Sequence, residues 1–174
     1  MHVLIATDGA IDVETASRFA ADLSGPTGRV TVLTIVEVPR AFLEDMRSRW
    51  GAAHAAGVIA DVEFATAPVV PQEAPRGWPG DDAMIERYLS DKLEQHTSPI
   101  VEALRAAGVE TEGSVVESEN VTNAILDKLE TLGADVVVIG SHGQGLVQGL
   151  LGSTGMKIVR RSPKPVLLIR SATP

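Results

Sequence analysis

The sequence predicts an α/β fold: a single five-stranded parallel sheet, doubly wound, with helices on both faces. Three observations carry that expectation. Short runs rich in Val, Ile and Leu alternate with stretches whose apolar residues recur at three-to-four spacing, the rhythm of βαβ units. Hydrophobic residues make up 44% of the 174 and aromatics only 3%, so the core is aliphatic, as in parallel sheets and their covering helices. Residues 134–170 then read as apolar strand, glycine-and-hydroxyl loop, helix and apolar strand, which builds an anion site at a strand's carboxyl end.

The elements follow in order. Residues 2–7 form an apolar run closed by the turn signal Asp8-Gly9, and Ala16, Phe19, Ala20 and Leu23 then recur at helical spacing until Ser24-Gly25-Pro26. Residues 30–38, VTVLTIVEV, are rich in β-branched side chains and closed by Pro39, the second strand. Over residues 40–80 the rhythm breaks. Residues 41–50 can form a helix, but the rest is rich in Ala and Gly, with Pro68, Pro71, Pro75 and Pro79. This stretch is expected to be an insertion in a single domain of residues 1–174, partly helical and partly mobile loop. Its Trp50 and Trp78 would either pin it to the body or form a partner surface.

From Asp81 or Asp82 as cap, Met84, Ile85, Tyr88, Leu89 and Leu93 mark a long crossover helix, which Pro99 kinks or restarts before the stop at Gly108. Residues 112–117 are a weaker third strand. Asn120 caps a helix carrying Val121, Ala124, Ile125 and Leu129, with Gly133 as its C-terminal glycine. Residues 134–139 form the fourth strand, 153–162 the last helix and 165–169 the fifth strand. An apolar strand at the sheet edge exposes backbone donors that invite pairing.

Composition narrows the function. The net charge of −8 and the absence of a long Lys/Arg cluster argue against nucleic acid as a partner. A mononucleotide needs only local N–H donors and is not excluded. There is no cysteine, which removes disulfides, thiolate metal sites and cysteine nucleophiles. His2, His54 and His96 are too scattered to suggest a metal site. The chain opens directly on a strand-like run and has no apolar stretch long enough to cross a bilayer, so a cytoplasmic protein without membrane contact is expected.

Known loops can be tested against residues 140–154. A Walker A loop needs a glycine followed by Lys-Ser or Lys-Thr, and none occurs. The dinucleotide fingerprint fails, because Gly149 falls one residue late and the run follows the fourth strand. A nucleophile elbow is absent: Ser141 and Ser153 each directly follow a glycine. Asp8 lacks the second acidic residue that phospho-aspartate chemistry requires two positions on, where Ala10 stands. His142 has no paired carboxylate or nucleophile and reads as a solvated loop histidine. Lys157, Arg160 and Arg161 complement the dipole of the last helix. Ser153 and Thr154 fit either helix capping or phosphate contact.

Four segments do match a known pattern: Ala6-Thr7-Asp8-Gly9 and Thr34-Ile35-Val36-Glu37 closing the first two strands, ADVVVIGSHG at residues 134–143, and Gly152-Ser153 leading to Pro165-Val166-Leu167-Leu168-Ile169. Together they resemble the universal stress protein family over nearly everything except residues 40–80. The resemblance implies a flavodoxin-like (Rossmann-like) sheet of strand order 3-2-1-4-5.

In nucleotide-binding members of that family, a G-x-x-G, nine-residue, G-[ST] pattern wraps phosphates and ribose, and the first-strand Asp with second-strand backbone holds the nucleoside. Carried onto this chain, the resemblance sets Gly140, Gly143, Gly152, Ser153 and Thr154 toward phosphate or ribose, and Ala6, Thr7, Asp8 and Ile35 around the nucleoside. Two departures stand out. Only eight residues, 144–151, separate Gly143 from Gly152, and Gln144 occupies a position where many nucleotide-binding members carry arginine.

The implied ligand is an adenine nucleotide, ATP first with ADP or AMP as alternatives, with or without Mg²⁺. It would be regulatory rather than a substrate, in a stress-response homodimer paired through residues 165–169. A second reading keeps the fold without nucleotide and makes residues 40–80 a protein-partner surface.

Overall fold

In the computed structural model, which describes residues 1–38, 40–55, 78–141 and 152–170, strands and helices alternate as the pattern requires. Their order is β1 (His2–Ala6), α1 (Val13–Ser24), β2 (Arg29–Val36), α2 (Arg40–Ala55), α3 (Asp81–Ala106), β3 (Glu110–Glu117), α4 (Val121–Thr131), β4 (Val136–Gly140), α5 (Ser153–Arg161) and β5 (Val166–Ile169). The five strands form one parallel sheet of order β3-β2-β1-β4-β5, the order expected.

β1 lies at the centre and is buried at every position. Its register sets Val3 beside Val30 and Val136, and Ile5 beside Val32 and Val138. Successive side chains point to opposite faces, so two aliphatic layers result. On one face Val3, Ile5, Val30, Val32, Val136 and Val138 pack with Ala16 and Ala20 of α1 and with Ile100, Val101 and Leu104 of α3. On the other, Leu4, Ala6, Leu33, Val137 and Ile139 pack with Ile125 and Leu129 of α4 and Ile158 of α5. Burial on both faces is why these strands read as continuous apolar runs rather than alternating ones.

The chain divides into two compact units, Met1–Glu37 with Leu89–Pro174, and Val38–Tyr88. The first holds the sheet. Within the second, Trp50 and Trp78 meet edge to face, with centroids 5.9 Å apart. The Trp78 indole donates to Asp81 Oδ1 at 3.1 Å, and Arg47 pairs with the same carboxylate. Arg47, then Trp78, holds the Asp81 carboxyl below its usual range. The proline-rich part of the expected insertion, residues 56–77, lies outside the described residues.

Helix ends follow local chemistry. Asp12 accepts from the Thr15 amide at 2.8 Å and caps α1, and Gly25 closes it at φ +68°. Asn120 caps α4 in the same way through Asn123, and Gly133 follows the helix at φ +58°. α3 is the single long crossover helix expected, and it runs through Pro99 without restarting. Ile100, Val101 and Leu104 beyond the proline are buried against the sheet, and their packing outweighs the hydrogen bond that proline removes. Phe19 was expected on the buried face of α1, yet it is 40% exposed, with the Arg18 guanidinium 5.2 Å from its ring centroid.

A polar network closes the amino end of the sheet. Arg29 Nε lies 3.2 Å from His2 Nδ1, His2 Nε2 lies 2.9 Å from Thr31 Oγ1, and Thr31 donates to Glu112 at 3.1 Å. His2 Nδ1 also lies 3.3 Å from the Leu132 carbonyl, so its tautomer sets whether it donates there or accepts from Arg29, and the polar chain runs across three strands. Burial first, and Arg29 second, hold the His2 pKa below its ordinary value, against the opposing pull of Leu132, Glu112 and Asp135.

A pH dependence follows. The unfolded state binds the proton more readily, so stability rises with pH across the window between the folded and unfolded values. The His2 contribution is complete above the unfolded pKa and lost as pH falls through the lowered one. The urea midpoint is expected to drop between about pH 7.5 and about pH 5, and His2→Asn to flatten that slope. An identical slope in the variant would assign the effect to other groups.

Candidate functional site

A cleft of about 290 Å³ opens at the carboxyl ends of β1, β2 and β4, against the first turn of α5 and one face of α4. This is where the winding direction reverses between β1 and β4, so the loops leaving these strands diverge and leave a crevice. Eight of the nine residues expected at the site line it: Ala6, Thr7, Asp8, Ile35, Gly140, Gly152, Ser153 and Thr154. The ninth, Gly143, lies outside the described residues, as do His142 and Gln144.

The floor and walls are backbone and aliphatic side chains. Thr7, nearly buried, donates its amide to Leu33 at 2.9 Å and extends the β1–β2 ladder one residue past the strand. Its hydroxyl accepts from the Gly9 amide at 2.9 Å, and the Asp8 carboxylate accepts from the Ala10 amide at 3.1 Å. These two short turns fix the Asp8 side chain at the rim, exposed and with acceptor capacity to spare. Opposite, Ser141 donates its amide to Ile169 at 2.8 Å, which continues the β4–β5 ladder into the loop.

The start of α5 bears on the capping reading of its hydroxyl residues. Gly152 is the cap residue, with no side-chain cap bond, and the first intrahelical bond runs from Met156 to Gly152 at 2.9 Å. Ser153 and Thr154 are thus the first residues of the helix rather than its caps. Their amides and that of Gly155 precede the helical ladder and carry the positive end of its dipole into the cleft. An anion placed there meets N–H donors and hydroxyls together.

Sequence reading missed the apolar part of the lining: Ile11, Leu33, Val121, Ile125, Ile139 and Ile158, with Ser141 and Gly155. Val121 and Ile125 carry a usable signal, being one turn apart at the start of α4, the end of the helix nearest the strands' carboxyl ends. Leu33, Ile139 and Ile158 also belong to the core layer beneath, and nothing in their spacing separates the two roles.

His96 was also set aside as isolated. It lies on α3 with Nδ1 2.9 Å from the buried Thr34 hydroxyl and its ring over Gly9. Burial, then Lys92, lowers its pKa, while Asp8 pulls the other way. His96 does not line the cleft; it supports the turn that carries Asp8.

The family model described as "Universal stress protein family" matches residues 1–170. The chain belongs to the universal stress protein family. A universal stress protein encoded in the QAH/OAS sulfhydrylase 3′ region of Thermus aquaticus is 34% identical over 90 residues, 51% of this chain and 66% of that one. Universal stress protein G of Escherichia coli O157:H7 is 41% identical over 51 residues, 29% of this chain and 36% of its own length. The aligned part thus falls short of both relatives' full length.

Solved structures share the fold at low identity. A hypothetical protein used as a test case of structural genomics superposes with a TM-score of 0.64 at 18% identity, covering 99% of this chain and 97% of its own. The universal stress protein of Archaeoglobus fulgidus in complex with dAMP gives 0.52 at 20% identity, covering 97% of each chain. A universal stress protein in complex with cAMP gives 0.52 at 18% identity, over 99% of this chain and 98% of that one.

The turn under Asp8 is open to a direct test. Gly9 has φ +89°, and a Cβ there would come within 3.1 Å of His96 Cδ2. Gly9→Ala is expected to cost about 1–2 kcal/mol in denaturant unfolding. Adding His96→Ala is expected to restore only part of that loss, because the backbone strain remains when the crowding is gone.

Proposed function

We propose that this universal stress protein binds an adenine nucleotide in the cleft between β1, β4 and the start of α5. The observation that carries the reading is the convergence, in one crevice, of uncapped α5 amides with the Ser153 and Thr154 hydroxyls on one side and the Asp8 carboxylate on the other. The first set suits a phosphate. Asp8 suits ribose hydroxyls or a base amino group, which are donors. Between them Ile35, Val121 and Ile125 offer an apolar surface to a purine face. The dAMP and cAMP bound by two structural relatives support the same ligand class.

The ligand is read as regulatory rather than as a substrate. Asp8 is the single carboxylate among the described lining residues, and no described nucleophile and base converge there. Among the described residues no group of three or more His, Asp or Glu could hold a metal, so any Mg²⁺ would arrive with the phosphates.

Homodimerisation through β5 completes the proposal. That strand lies at the sheet edge, and the chain exposes Leu168 on it with Met156 and Val159 on α5. Among the described residues no helix is long and apolar enough to cross a membrane, which is compatible with the cytoplasmic setting proposed.

Adenine nucleotide released on denaturing gently purified protein, or a thermal shift with millimolar AMP or ATP, is the expected result. Neither appearing would sink the proposal. Asp8→Ala is expected to weaken binding by about tenfold, the loss of roughly 1.4 kcal/mol, measured by calorimetry.

A further inference from the structure

Two adjacent residues of α3 set that helix close against the carboxyl half of the sheet. Thr97 meets Gly113 of β3, where a Cβ would lie 2.8 Å from Thr97 Oγ1. His96 meets Gly9 in the turn after β1, where a Cβ would lie 3.1 Å from its Cδ2, and Nδ1 bonds to the Thr34 hydroxyl of β2 at 2.9 Å. Thr34 is fully buried. Because β2 lies between β1 and β3, the helix bears on three neighbouring segments at one level.

His96 reaches these segments from behind the cleft. Thr34 follows Val30 and Val32, which belong to the layer under α1 and α3, while its neighbours Leu33 and Ile35 turn to the other face and line the cleft. The ring also packs on Gly9, and the residue before that glycine, Asp8, lines the cleft. One half-buried side chain thus backs two rim segments without entering the cleft itself.

An uncharged ring suits this place. It lies on Gly9 and shares a hydrogen bond with the Thr34 hydroxyl in either tautomer. A proton puts charge where solvent reaches only part of the ring, and burial penalises it. Lys92, one turn earlier on the same helix, repels that charge, whereas Asp8 on the facing turn attracts it; Thr34, the group β2 offers the ring, carries none. The Asp8 carboxylate is exposed and accepts from the Ala10 amide at 3.1 Å. Drawn toward an imidazolium, it gives up acceptor strength that a ligand's hydroxyl or amino donors would otherwise use.

We infer that His96 is a positioning residue for the cleft, holding the Asp8 turn and the end of β2 ready for nucleotide while its ring is uncharged and releasing them when it takes a proton. The inference rests on the adenine-nucleotide reading above and adds a pH-dependent control of that site. Burial, then Lys92, holds the ring's pKa below the ordinary histidine value, so affinity is level above about pH 6.5 and falls as pH drops through the lowered value. By reciprocity, bound nucleotide lowers that pKa further.

The test is calorimetric titration of the full chain with cyclic AMP and AMP at about pH 7.5 and about pH 5. Cyclic AMP, a phosphodiester, has no phosphate proton to gain in that range, whereas a monoester titrates near about pH 6. Wild-type affinity for cyclic AMP is expected to fall about fivefold between the two pH values. His96→Gln, which keeps a hydrogen-bonding group for Thr34 and takes no charge, is expected to hold the affinity seen at the higher pH and to lose the fall. His96→Ala, which removes the brace, is expected to weaken binding at both. In the unaltered chain, an NMR titration is expected to show saturating cyclic AMP moving the His96 ring to lower pH while leaving His2, at the other end of the sheet, in place. Where AMP alone binds, the difference between wild type and His96→Gln carries the same test, since the ligand's own titration is common to both.

An equal fall in His96→Gln would overturn the inference, as would a His96 titration that nucleotide does not move, or His96→Ala binding as tightly as wild type. In each case binding at the higher pH leaves the nucleotide reading intact. Absence of binding by both compounds there would instead overturn the nucleotide reading, and this control with it.

Discussion

Everything in this fold hangs on the two-sided pairing of β1. A strand that bonds in parallel to β2 on one edge and β4 on the other cannot be reached by one direction of winding. The chain must step outward through β2 and β3, then return past β1 to lay down β4 and β5. Right-handed crossovers in both directions place α1 and α3 on one face and α4 and α5 on the other. The crevice at the carboxyl end of β1 is a by-product of that reversal, and Thr7, Asp8, Gly140 and Ser141 reach it by continuing the strands.

The chemistry of the crevice is correspondingly economical. Its polar groups are mostly main-chain: strand-end amides committed to the ladder and helix-start amides left outside theirs. Side chains add hydroxyls and one carboxylate, all on residues next to a backbone element that fixes them. Glycine matters where geometry demands it, at Gly9, whose φ is positive and where a Cβ would crowd the His96 ring at 3.1 Å. Histidine serves the same end twice. His2 at one end of the sheet is buried and His96 toward the other half-buried; each is bonded to a strand threonine, Thr31 or Thr34, and burial lowers the pKa of both.

Much of this was legible in the residues. The strands announce themselves because burial on both faces demands unbroken apolar runs, as in Val136-Val137-Val138-Ile139, and Asp8-Gly9 and Gly133 mark ends by turn chemistry. The family resemblance named nine residues around the strand ends, and eight of them border the cleft that opens there. Less visible were features that depend on what lies opposite. Pro99 leaves open whether the crossover helix kinks or restarts, and the buried Ile100 and Leu104 beyond it belong to the same unbroken helix. Phe19 fits a helical face by spacing and still faces solvent, because Ala16 and Ala20 hold the position against the sheet.

The amino-acid sequence by itself determined the element order, the two-faced aliphatic core and which backbone segments border the crevice, since these follow from local periodicity and turn chemistry acting over a few residues. Only the tertiary structure decided that Val121, Ile125 and Ile158 share that crevice, that Ser153 and Thr154 start α5 rather than cap it, and that His96 braces the turn beneath Asp8. Those assignments depend on which residues distant in the chain come within a few ångströms, and no local pattern encodes that distance.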